Sequence, residues 1–163
     1  MRENGDTAIR VIAPGASGVY LEAVSQTLAL APDASSVRDG RQFVASVLDE
    51  WGMGELAETA VLLTSELLTN SVLHARTDIA LTVQRRDDSS VDICVHDGSR
   101  HTPRRRRRAH DATTGRGIEL LERLAQEWAV TTDEGGKTIC FTVGLGTDPW
   151  AAYSAAALLE AEL

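Results

Sequence analysis

The sequence predicts an α+β fold of two layers, with helices on one face of a mixed, mostly antiparallel sheet. Three observations carry that expectation. Two stretches of helical periodicity come early, two strand-like runs joined by a short polar turn follow, and a further helix and strand pair close the order. At 163 residues, with 43% apolar and 25% charged residues, the chain has the size and balance of one globular domain.

Residues 1 to 26 hold several glycines and one proline around TAIRVIA, and read as a loose leader or an edge strand. TLALAP, at 27 to 32, reads as a short strand stopped by Pro32. Asp33, Ser35 or Ser36 is suited to cap a helix through VRDGRQFVASVLDEWG. In it Val37, Phe43, Val44, Val47 and Leu48 recur at helical spacing, and Gly52 ends it. A second helix is expected from about Glu55 to Ala75. IALTVQRR and VDICVHD read as strands, and the turn-forming DDSS between them predicts an antiparallel hairpin. GSRHTPRRRRRAHDATTG, at 98 to 115, has almost no apolar residue and forms one long connection, of the kind that serves as a lid, a binding loop or a linker. RGIELLERLAQEW reads as a helix, and WAVTTDE and KTICFTVGL as strands joined by Glu134, Gly135 and Gly136. Residues 148 to 163 are Ala-rich, a C-terminal helix or tail. There Trp150, Tyr153 and Leu158 are suited to pack on a second subunit, making a homodimer, or back onto the domain.

A net charge of -8 argues against bulk affinity for nucleic acid or anionic lipid, since phosphate binding is dominated by Lys and Arg contacts. The start of the chain has no secretory apolar stretch, and no run of about 18 apolar residues is present to span a membrane, so a cytoplasmic protein is expected. Cys94 and Cys140 lie in apolar, strand-like runs, with no second thiol or spaced histidine nearby in sequence, and read as buried free thiols. Fifteen of the sixteen basic residues are arginine.

The second helix carries the first chemical signal. At about 100° per residue Glu66 and Asn70 lie about 40° apart, with Leu62 and Leu73 to one side and Leu63 and Leu67 to the other. A carboxylate and an amide are thus expected at the centre of an apolar stripe. Burying an unpaired polar group costs about 1 to 3 kcal/mol, so either both bond to neighbouring backbone in the core or something polar meets them. Asp97 and Gly98 end a strand. An acceptor-only carboxylate stands there beside a residue that lets a ligand approach the backbone, a placement suited to an exocyclic amine such as that of adenine. Gly115, Arg116 and Gly117 immediately precede a helix, where free N–H groups favour phosphate. By strand alternation His96 should face away from Asp97.

In this order the segments resemble the GHKL superfamily of ATPases and kinases, and within it the small bacterial anti-sigma factor serine/threonine kinases. ELLTNSVLHA is similar to that family's N box, VHDGS to an abbreviated first glycine box, TGRGIELLERLAQEWAV to the second, and GGKTICFTV to the closing strand. The likeness covers roughly residues 27 to 145. It implies an ATP-binding domain over 27 to 147, a two-layer α/β sandwich of the Bergerat type whose ATP lid spans about 98 to 115. The cofactors it implies are ATP and Mg²⁺, with Asn70 as the metal ligand and Glu66 as the general base. Asp97 would read the adenine amine and Gly98 would permit close approach. Gly115, Arg116 and Gly117 would line the phosphates, and Thr138 would support the adenine pocket. The chain departs from the pattern at Arg100, where the fuller box has a glycine.

The function so implied is a kinase that binds a sigma factor or other regulatory client and phosphorylates a small anti-anti-sigma-type antagonist. The alternative is a non-catalytic switch in which nucleotide sets the affinity for a protein partner. A catalytic fragment of a sensor histidine kinase is disfavoured because His74, His96, His101 and His110 all lie in or after the N box. The run Arg104 to Arg108 reads first as part of a lid or a solvated loop, then as a partner-docking segment. Nucleic acid ranks last, because the chain is acidic and no aromatic residue interleaves the run.

Overall fold

A computed structural model describes residues 24–101 and 116–145. The leader up to residue 23, the run Arg104 to Arg108, Gly115, most of the expected lid, and the tail with Trp150, Tyr153 and Leu158 lie outside the described residues. The elements are β1 (Ser25–Leu30), α1 (Ser35–Glu50), α2 (Ala57–Asn70), β2 (Ile79–Arg85), β3 (Ser90–Asp97), α3 (Arg116–Leu124), β4 (Glu127–Asp133) and β5 (Gly136–Gly144). The strands form one sheet in the order β1-β2-β3-β5-β4. All four pairings of the described strands are antiparallel, where the sequence suggested a mixed, mostly antiparallel sheet.

Strand alternation builds the core. Ile79, Leu81 and Val83 of β2, Val91, Ile93 and Val95 of β3, and Ile139, Phe141 and Val143 of β5 are buried and share one sheet face by register. The three helices cover that face, contributing Val44, Val47 and Leu48 from α1, Ala60, Leu63, Leu67 and Leu68 from α2, and Leu121 and Leu124 from α3. This is the expected two-layer sandwich.

Local chemistry sets the helix ends. Before α1 the Asp33 carboxylate accepts from the Ser35 backbone N–H at 2.9 Å and the Ser35 hydroxyl at 2.8 Å, which holds its carboxyl below the usual range. Past α1, Gly52 takes φ 69°, and the Gly52 and Met53 N–H groups turn back to the Asp49 and Leu48 carbonyls at 3.0 and 2.8 Å. This is the Schellman pattern that glycine favours. The second helix is not continuous from Glu55 to Ala75. A 3-10 turn spans Gly54–Leu56, and after α2 the chain widens into a π turn over Ser71–Ala75 that ends at Arg76 with φ 56°. The third helix stops at Leu124, because the Gln126 N–H is already taken by the Thr142 carbonyl at 2.9 Å and Trp128 pairs with Phe141 in the sheet.

The cysteine reading is overturned. Cys94 and Cys140 stand opposite each other in the β3–β5 register and form a disulfide, half-buried on the sheet face away from the helices. They are 46 residues apart in sequence, so only strand pairing reveals them as partners. No helix among the described residues is long and apolar enough to cross a membrane.

Candidate functional site

The site lies where the C-terminal half of α2, the start of α3 and the adjoining ends of β3 and β5 meet. On α2 the buried arc is Thr59, Ala60, Leu63, Thr64, Leu67 and Leu68. Glu66 and Asn70 flank that arc, half-buried, instead of lying at its centre, while Leu73 is 49% exposed. The polar residues within the arc are Thr59 and Thr64, and the Thr64 hydroxyl donates back to the Ala60 carbonyl at 2.7 Å. The carboxylate and amide therefore border the core and remain available to a ligand.

The first turn of α3 closes on this flank. Gly117 is buried, and a Cβ added there would lie 3.1 Å from Asn70 Nδ2 and 3.8 Å from Glu66 Cβ. A side chain there would press on the Asn70 amide. A helix start, with its unpaired N–H groups and positive dipole end, is thereby set beside a carboxylate and an amide.

Asp97 ends β3 at 1% exposure, and its carboxylate is surrounded by donors. The Ser71 hydroxyl donates to Oδ2 at 2.7 Å, the Ser99 N–H donates to Oδ1 at 2.9 Å, and Lys137 Nζ stands 3.0 Å from each oxygen. Lys137 is itself only 8% exposed. Strand register accounts for the pair, since Lys137 is the direct partner of Asp97 across β3 and β5. Gly136 makes the close crossing: it adopts φ 131°, and a side chain there would overlap the Asp97 carbonyl oxygen. The corner is held from the other side by Thr77, whose hydroxyl accepts from the Gly98 N–H at 2.7 Å and sits 3.0 Å or more from where a Gly98 side chain would begin.

Glu66, Asn70 and Gly117 are thus brought together, and the buried Asp97 and exposed Gly98 form a corner beside Ser71, the residue after Asn70. Arg116 opens α3 as expected. Gly115 lies outside the described residues. Thr138 is not brought to the corner. It faces the opposite side of the sheet, where its hydroxyl is 2.9 Å from His96 Nδ1, and His96 points away from Asp97 as alternation requires. Lys137, one residue earlier on β5, reaches the Asp97 carboxylate instead. Sequence reasoning missed Ser71, Thr77 and Lys137. The last had a signal, being the chain's single lysine. Arg100, where the family pattern has a glycine, donates from its guanidinium to the Glu134 carbonyl at 3.2 Å, at the β4–β5 turn.

A family model for the histidine kinase-like ATPase domain matches residues 30–143. The chain belongs to that family. No curated protein matches it. The matched span runs from the last residue of β1 to near the end of β5, and so includes every described element that builds the corner. The family's ATPase domain implies ATP binding, and the corner sets the buried Asp97 carboxylate and the start of α3 near the Asn70 amide. Among the described residues no group of three or more His, Cys, Asp or Glu side chains could hold a metal by itself. A groove of about 600 Å³ is lined by Arg41 of α1 and by Ala57, Glu58, Val61, Leu62 and Ser65 of α2.

Proposed function

We propose that this ATPase-type domain is an anti-sigma factor serine/threonine kinase, which binds a regulatory client such as a sigma factor and phosphorylates a small protein antagonist. The observation that carries the reading is the approach of Gly117 to Asn70 Nδ2 and Glu66 Cβ, which sets a helix start suited to phosphate against an amide-bearing and a carboxylate-bearing residue. Asn70 would hold Mg²⁺, whose charge draws electron density from the transferring phosphoryl group. Glu66 would take the proton of a serine or threonine hydroxyl as that oxygen bonds to the γ-phosphorus and the bond to the ADP oxygen breaks. Being half-buried at the edge of the core, Glu66 can meet an incoming hydroxyl without first leaving a hydrophobic pocket.

The test begins with proteins retained by the full chain in the presence and absence of Mg-ATP, followed by phosphoryl transfer to each retained protein. Glu66→Gln is expected to keep ATP affinity within about twofold and to lose about 10²- to 10⁴-fold in transfer rate, the range ascribed to a positioned base. Undiminished transfer by this variant removes Glu66 as the base. Tight ATP binding with no phosphorylation of any ATP-dependent partner instead favours a nucleotide-controlled binding switch.

A further inference from the structure

Lys137 is the single lysine in a chain whose other fifteen basic residues are arginine, and it is buried against a buried carboxylate. Burying two charges costs several kcal/mol even when they pair, and a surface arginine would carry positive charge without that cost. The pair also poses a problem for the site. A carboxylate offers about four lone-pair positions, and the two contacts of Lys137 with those of Ser71 and Ser99 fill them. An incoming base amine must displace a donor. Ser71 is fixed in the π turn and Ser99 donates from its backbone, but Lys137 sits on a flexible stem and bridges both oxygens.

We propose that Lys137 reads the base together with Asp97: Asp97 accepts from the exocyclic amine of adenine while the Lys137 ammonium donates to the neighbouring ring nitrogen N1. The inference rests on the nucleotide reading of this corner and adds a specificity residue to it. In adenine the amine donor adjoins the N1 acceptor, and the Asp97–Lys137 pair presents the matching acceptor beside a donor. By shifting from two Asp97 oxygens to one, Lys137 frees a lone pair for the amine and turns an N–H toward N1. The two charges stay in contact throughout, so a neutral base enters without stranding either of them. Had Lys137 served only as a plug, removing it would tighten nucleotide binding, the opposite of what base reading requires.

The test measures dissociation constants of the full chain for ATP, for 1-deaza-ATP, which has a C–H in place of N1, and for 7-deaza-ATP as a control on the far ring. The wild-type chain is expected to bind 1-deaza-ATP about 10- to 100-fold more weakly than ATP, the worth of one hydrogen bond to a charged group, and 7-deaza-ATP nearly as well as ATP. Lys137→Met should bind ATP more weakly and bring the ratio for 1-deaza-ATP close to one, and Lys137→Arg should recover part of it. The wild-type ratio needs no variant, so a Lys137→Met chain that fails to fold leaves the test standing. Equal binding of ATP and 1-deaza-ATP by the wild type overturns the inference, as does tighter ATP binding by Lys137→Met. A wild-type chain that binds none of the three nucleotides removes the nucleotide reading itself, and the inference with it.

Discussion

Asp97 shows how much of this site depends on single groups around one carboxylate. Its bond from the Ser71 hydroxyl is short and fully buried, so Ser71→Ala should cost about 1.5 to 3 kcal/mol of stability in urea unfolding, the usual worth of a hydrogen bond to a charged group. Gly136→Ala forces a side chain into a left-handed backbone and onto the Asp97 carbonyl. A loss on the order of 1 to 3 kcal/mol is expected, accompanied by weaker ATP binding because the Asp97–Gly98 corner must move. Thr138→Val gives the contrasting case. Its hydroxyl serves His96 on the far face, so nucleotide affinity by calorimetric titration should stay within about twofold of the wild type.

At the scale of elements, the site exists because α3 starts against the flank of α2. Gly117→Val would place a branched side chain on Asn70 and Glu66, and ATP affinity should fall at least about tenfold while circular dichroism still reports the folded sheet. The β2–β3 hairpin is stabilised independently of the site. The Asp87 carboxyl is held below the usual carboxylate range, first by the Ser89 backbone N–H at 2.8 Å and then by the neighbouring serine hydroxyls. A carboxylate with a lowered folded-state value stabilises the fold above its ordinary value and loses that contribution as pH falls through the lowered one. The stability difference between wild type and Asp87→Ala should therefore be present at neutral pH and shrink below about pH 4, which unfolding series at the two pH values would show.

For the whole molecule, the strongest long-range tie outside the core is the disulfide between β3 and β5. By closing a separation of 46 residues it restricts the unfolded chain, and its removal through reductant or a Cys94→Ala/Cys140→Ala pair should lower unfolding free energy by about 2 to 4 kcal/mol. Both cysteines lie on the sheet face opposite Asp97, so the reduced chain should still bind ATP at temperatures where it is folded. Loss of ATP binding in a reduced but folded chain would show that the staple fixes the register on which the Asp97–Lys137 pair depends.

Alternation in the strands, helical spacing in α1 and the end of α1 at Gly52 were legible because each is decided by residues within a turn or two of one another. Asp97 at the end of a strand and Gly117 at the start of a helix were legible for a similar reason, whereas the period of α2 set Glu66 and Asn70 at the centre of a stripe whose flank they occupy. The break after Asn70 was not legible. The π turn accompanies a bond between Ser71 and Asp97, 26 residues apart, and no local propensity announces that contact. Thr138 and Lys137 differ by one position on a strand, and a one-residue shift reverses the face a side chain meets, so choosing between them required the β3–β5 register. The same register made a disulfide of two cysteines that read as free thiols. The sequence by itself determined the layers and the chemistry available to the site, because periodicity and residue type are local properties of the chain. Only the tertiary structure decided which groups meet Asp97, because hydrogen bonds between distant strands set that register.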